Sequence, residues 1–337
     1  MGKLKRRVRL VLTAMLLLAA AVPVAAQTAA QAPAPLDANT AAVTEQRLLQ
    51  RHYLIEGRGT IADTRSYVIE QPLGRLWRMA QSVWLRWIGA AVIIATLAFF
   101  TVLYFTLGPM RIEAGRSGRM IVRFSAFERC LHWTIAISFT ILAVTGLNIT
   151  FGRELLLPLI GAEAFSRWSL LSKYAHDYSS FPFLLCVAVM FLLWARATLP
   201  TMVDVRWFME GGGMVGHRHP PAEKFNGGQK LLFWVAMAGT AGVALSGVFL
   251  LFPFYWSNII GMQIAHVAHA LVGLAFVATV IAHIYIGAVG LEGGWAAMVS
   301  GEVDLNWAKQ HHSLWVEREF GQGRGANPPA GATTTSP

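Results

Sequence analysis

Apolar positions in this chain come as long unbroken runs, not as a two- or three-residue rhythm. Residues 87–107 hold 21 positions without Asp, Glu, Lys or Arg, and residues 130–151 hold 22. A third apolar run lies at about 174–194. Residues 231–291 then supply 61 uncharged positions, too many for one crossing of a bilayer and suited to two, with a break at Pro253 to Gly261. A helix needs about 20 apolar residues to cross the hydrocarbon core. The pattern predicts five spans, at 87–107, 130–151, 174–194, about 231–252 and about 263–290, and an all-α integral membrane helical bundle.

Before the first span, residues 1–26 read as a secretory signal peptide: a basic start, an apolar run from Leu10 to Val22, then Val24-Ala25-Ala26 ahead of Gln27. Cleaved, or kept as an anchor, it places residues 27–82 outside as a periplasmic N-terminal segment. Residues 83–108 form an extra transmembrane helix. Residues 120–318 form a four-helix domain with a cytoplasmic tail. Residues 319–337 are Gly-, Pro- and Thr-rich and read as disordered.

Composition fits this class. Hydrophobic residues make up 55% and charged residues 14%, against about 25% charged in ordinary soluble proteins. Two cysteines exclude a disulfide-stapled secreted domain. Cys130 and Cys186 read as buried thiols. Half of the net charge of +10 comes from Lys3, Lys5, Arg6, Arg7 and Arg9 in the targeting segment. No basic stripe with aromatics follows, so a nucleic-acid partner is not expected; the partner medium is lipid. Segments 108–129 and 195–230 each hold five Lys or Arg, whereas 152–177 holds three and 253–262 none. By the positive-inside rule the N-terminal segment is periplasmic and the C-terminus cytoplasmic, in a bacterial inner membrane. Trp84, Trp87, Trp133, Trp168, Trp194, Trp207, Trp234 and Trp256 cluster near span ends, as interface belts do.

Four histidines, His132, His176, His269 and His283, fall in or beside the spans. Imidazole at membrane depth is costly and usually has a use, and it is a strong iron ligand. His269 and His283 are 14 residues apart. That is ~21 Å along the axis and about 40° short of four turns, so both face one side of the fifth span at opposite levels. The topology puts His132 level with His283 inside, and His176 level with His269 outside. Two bis-His sites at two depths suggest two haems. Without Cys-x-x-Cys-His these are b-type, held non-covalently. His266 is offset by near 100° from His283 and reads as a bundle-facing or interfacial residue. His52, His217, His219, His311 and His312 read as solvated loop residues, the inner ones placed to help deliver protons.

Arg129-Cys130-Leu131-His132-Trp133, the run Lys224-Phe225-Asn226-Gly227-Gly228-Gln229-Lys230, His269 to His283 with Ile284-Tyr285-Ile286, and Trp307-Ala308-Lys309 with His311-His312 resemble the gamma subunit, a cytochrome b, of membrane-bound formate dehydrogenase. The resemblance covers about residues 120–318. It implies four haem-binding helices, preceded here by one extra helix, beside an iron–sulfur beta subunit and a molybdenum or tungsten alpha subunit. It implies that His176 and His269 hold the outer haem iron, His132 and His283 the inner one. A quinone (menaquinone or ubiquinone) would sit near Asn226, Gly228 and Gln229, and the chain would pass electrons to it. Amide donors suit quinone carbonyls. On the residues alone, a Gly-rich turn with Asn226 capping the fourth span is an equal reading. Arg129 and Lys173 are candidates for haem propionates or for interface anchors. The alternatives are a cytochrome b serving a hydrogenase or thiosulfate-type reductase, and a haem-free membrane anchor or proton-relay transporter.

Overall fold

A computed structural model describes residues 73–213 and 219–321. The segment read as a signal peptide, most of the expected N-terminal segment, His52, His217 and the end of the tail lie outside the described residues. Among the described residues five helices are long and apolar enough to cross a membrane. They are α1 (Gly74–Leu107), α2 (Ala126–Leu155), α3 (Leu157–Trp194), α5 (Gly227–Leu251) and α6 (Ile259–Val289). Short helices α4 (Met202–Met209), α7 (Ala296–Val299), α8 (Leu305–His311) and α9 (Ser313–Val316) and a two-stranded ribbon complete the described chain. The chain is an all-α integral membrane protein with this small β addition.

The helices outrun the charge-free segments that predicted them. Absence of charge marks the stretch that lipid covers, while the hydrogen-bonded helix continues into the interface. α3 is the extreme case. It begins seventeen residues before Tyr174, bends at Gly161 (φ 79°), and carries the exposed pairs Arg167–Glu163 and Lys173–Asp177 on its extension. Helix starts are set by local caps. Ser125 and Glu128 bond reciprocally at the start of α2, as do Thr201 and Asp204 at α4 and Asn226 and Gln229 at α5.

The chain forms two compact units. The first contains 130–191 and 236–281 with the described part of Met1–Phe99. Its centre is an aromatic layer with one ring from each of three helices. Phe276 of α6 lies 4.9 Å from Phe139 of α2 and 6.4 Å from Phe183 of α3, centroid to centroid. Small residues bring the helices close: a Cβ on Gly239 would stand 3.3 Å from Phe276, and one on Gly242 3.2 Å from Val272. Gly89 gives α1 the same access to Leu274. Arg86 and Glu154 pair across α1 and α2.

The second unit contains 100–129, 192–235 and the chain from Ala282 on. Strand β1 (Met120–Val122) pairs antiparallel with β2 (Glu302–Asp304), Ile121 opposite Val303. Ile121, Phe124, Phe225, Val303, Trp307 and Trp315 form its apolar core. Lys230 and Asp204, both nearly sealed, meet at 2.7 Å and tie α5 to α4. The tail is therefore a structural element up to Gly321. Two expectations change here. Trp207 is buried, and the indoles of Trp194 and Trp234 donate to Glu128 and to the Thr198 carbonyl. These three serve the unit's packing, while Trp84, Trp87, Trp168 and Trp256 stay exposed, as belt residues do. Cys130, read as buried, is exposed on α2.

Candidate functional site

The first unit brings His176 of α3 and His269 of α6 together, with ring centroids 6.1 Å apart and planes at 68°. Each ring meets a hydroxyl on a further helix. Thr145 Oγ1 of α2 lies 2.9 Å from His176 Nδ1. Ser246 Oγ of α5 lies 3.1 Å from His269 Nδ1, and the Val243 carbonyl is also at 3.1 Å. Both hydroxyls already donate to a carbonyl one turn back, Thr145 to Ile141 and Ser246 to Gly242, each at 2.6 Å. Their remaining lone pairs can only accept. The imidazoles must then carry the proton on Nδ1, which leaves the Nε2 lone pair for a metal.

A glycine follows each hydroxyl residue. A Cβ at Gly146 would stand 3.4 Å from His176 Cε1, and one at Gly247 3.3 Å from His269 Cε1. Side chains there would press on the imidazoles. Two imidazoles bound to one iron at about 2 Å per bond set their centroids ~6 Å apart. The observed spacing and glycine clearance, with the tautomer inferred from the hydroxyl bonds, fit a bis-His haem. Thr145-Gly146 and Ser246-Gly247 escaped the sequence reading. The signal was there, a hydroxyl residue with a following glycine in each of two apolar spans, but nothing local says which imidazole it faces.

The other two predicted ligands fall in different units. His132 lies two turns into α2, edge-on to Trp133 at 5.5 Å. His283 lies near the end of α6, just before a π turn at Tyr285–Val289. His266 packs 5.8 Å from Trp77. Lys173 is paired with Asp177, and Arg129 donates to the Val299 carbonyl at the end of α7.

The Asn226–Gln229 stretch forms the cap of α5. Asn226 Oδ1 accepts from Gln229 N at 2.9 Å, and Gln229 Oε1 accepts from Asn226 N at 3.2 Å. Gln229 Oε1 also accepts from Arg123 Nη2 at 3.2 Å. The cap uses both amide oxygens. The amide N–H donors take no part in it, so capping and donation to a carbonyl ligand are compatible. Gly227 and Gly228 face protein: added Cβ atoms would meet Phe208 and Trp207 at 3.0 and 3.1 Å. Arg123, which sequence reading passed over, is buried between Phe124 and Trp307 and also donates to the Lys224 carbonyl at 2.7 Å. Burial pushes it down to about 9, so it stays charged at neutral pH.

Three histidines read as solvated are packed into this unit. His312 is fully buried, donates from Nδ1 to the Glu223 carbonyl at 2.7 Å, and lies against Trp307. His311 packs on Trp307 and His219. His219 is three-quarters buried, with Nε2 3.1 Å from Glu113 Oε1. Burial pushes His311 down to about 4 and His312 well below the usual imidazole range. The polar tail looked solvated because its Trp anchors were not known to fold back.

Three bacterial proteins show similarity over most of their own length. The nitrate-inducible formate dehydrogenase cytochrome b556(Fdn) subunit of Escherichia coli is 27% identical over 204 residues, 58% of this chain and 90% of that protein. The formate dehydrogenase cytochrome b556(fdo) subunit of the same organism is 28% identical over 199 residues, 58% and 91%. The formate dehydrogenase cytochrome b556 subunit of Haemophilus influenzae is 26% identical over 219 residues, 62% and 87%. The sequence profile of prokaryotic cytochrome b561 matches residues 123–301, the stretch that carries all four candidate ligands and the α5 cap. With that match over more than half of its length and five apolar helices, the chain belongs to the prokaryotic cytochrome b561 family.

Proposed function

We propose that this chain is the membrane cytochrome b subunit of a formate dehydrogenase complex, carrying electrons from a periplasmic iron–sulfur subunit to membrane quinone. The complex is read from the named relatives. The observation that carries the electron-transfer role is the His176–His269 pair, with both Nδ1 positions held by hydroxyls on other helices. These residues would hold the outer haem. His132 and His283 would hold the inner one, by their levels along α2 and α6. The b haem supplies one-electron chemistry when bound. The protein would orient the two imidazoles and fix their tautomer through Thr145 and Ser246.

The quinone would lie on the cytoplasmic side by the α5 cap. Asn226 and Gln229 would donate to its carbonyl oxygens through the amide hydrogens that the cap leaves unused. Formate oxidation itself would take place in the molybdenum or tungsten alpha subunit. Negative charge entering outside, with protons taken up inside, would conserve energy across the membrane.

The test is optical. Full-length protein is expected to show a reduced b-type band equivalent to two haems, and His269→Ala about half of it. A colourless preparation would favour a haem-free anchor or transporter. A full band in His269→Ala would reject the ligand assignment. Reduction by formate in the assembled complex, with no reduction by hydrogen and no reoxidation by thiosulfate, separates this reading from the other cytochrome b subunits.

A further inference from the structure

In the second unit a carboxylate, two imidazoles and a small cavity lead from the surface to Asn226. Glu113 is half exposed, and its Oε1 lies 3.1 Å from His219 Nε2. The His219 and His311 rings are 6.0 Å apart. Both border a cavity of about 20 Å³, with Trp207, Gln310 and Asn226 on its other sides. That is room for one water molecule. Both ring nitrogens of His219 and Nε2 of His311 are buried without a hydrogen-bond partner among the described residues, so the 3.1 Å approach of Glu113 to His219 Nε2 is a contact and not an aligned hydrogen bond. Gln310 braces the entrance, accepting from Glu113 N at 2.9 Å and donating to the Arg111 carbonyl at 3.2 Å.

Buried imidazole nitrogens left unpaired cost stability, so a water or a function must account for them. A neutral imidazole has an acceptor on one nitrogen and a donor on the other. It can take a proton on one side and release one on the other. We propose that Glu113, His219 and His311 form a proton-entry path that feeds the quinone site beside Asn226. The proposal rests on the quinone reading above. One quinone takes two electrons from the haem chain and two protons from bulk water, and its two carbonyl oxygens become hydroxyls. The protons would pass from Glu113 to His219, across the cavity water and His311, to the carbonyl at Asn226. The charged and titratable groups around His311 are Glu113, Arg123, His219 and His312. Burial first, then the proximity of His219 and Arg123, pushes His311 down to about 4, so it is neutral near pH 7 and does not trap a proton.

The experiment uses the haem-loaded full chain in membranes. The haems are reduced with stoichiometric dithionite, mixed with a short-chain naphthoquinone or ubiquinone, and followed by stopped-flow as the b band reoxidises. His311→Phe and His219→Phe are expected to keep the band and slow reoxidation by on the order of ten- to a hundredfold. The slowing should grow as pH rises, and added imidazole should restore part of the rate. Glu113→Gln, at the exposed end where the fold is not at stake, should shift the pH profile of the rate. An unchanged rate in the double histidine variant, or an unchanged profile in Glu113→Gln, would overturn the path alone. Wild-type haem that no quinone reoxidises would overturn the quinone reading and the path with it.

Discussion

Truncating Phe276 to Ala tests how this bundle is held together. Phe276 is 8% exposed and sits between Phe139, Phe183 and the Gly239 backbone. In a water-soluble core Phe→Ala costs about 3–5 kcal/mol, a transfer part plus a cavity part. In a bilayer the separated helices remain in apolar surroundings, so the transfer part falls away. The cavity part is ~100 Å³ of lost ring at ~24 cal/mol per Å³, or about 2.4 kcal/mol before any relaxation. Lost ring–ring contacts offset that relaxation by ~0.5–1.5 kcal/mol. The expected destabilisation is therefore about 2–3 kcal/mol. It would be measured by titrating haem-loaded protein in mixed micelles with a denaturing detergent. Haem content should persist, because His269 and His283 each lie seven residues, or ~10.5 Å, along α6 from Phe276. A loss below about 1 kcal/mol would show that the ring packs no core. A loss near 5 kcal/mol would show that separated helices meet water, and would refute the lipid-reference argument. Phe276→Leu, closer in volume, should cost under about 1.5 kcal/mol.

Thr145→Val removes the acceptor for His176 Nδ1 at nearly constant shape. Haem affinity of the outer site should fall about tenfold in a haem titration of the apoprotein, and unchanged affinity would mean that the hydroxyl does not set the tautomer. Asn226→Asp keeps an oxygen to cap α5 but removes the amide donors. Quinone-dependent reoxidation should slow while thermal stability changes by under about 1 kcal/mol, and an unaltered rate would leave Asn226 with the cap alone. His311, lowered to about 4 by burial, binds a proton more readily when unfolded. Its contribution is complete above the ordinary imidazole value and is lost as pH falls from about 6.5 towards 4. The denaturant midpoint of the second unit should drop from pH 7 to pH 5, and less so in His311→Phe. A midpoint that rises on acidification contradicts the burial argument.

Much of this molecule is local enough to be legible without coordinates. Charge-free length gives the five crossings, because lipid tests each segment separately. The spacing of His269 and His283 fixes their shared face, because helix geometry is the same in every helix. The Asn226-x-x-Gln229 cap is likewise a property of four adjacent residues. Tertiary structure decided the rest. It chose Thr145 for His176 and Ser246 for His269, turned Trp207 inward while Trp87 stayed outside, and folded the polar tail so that His312 lies sealed against Trp307. Each of these depends on atoms supplied by residues distant in sequence, and no hydrophobic run or spacing along one helix carries that information.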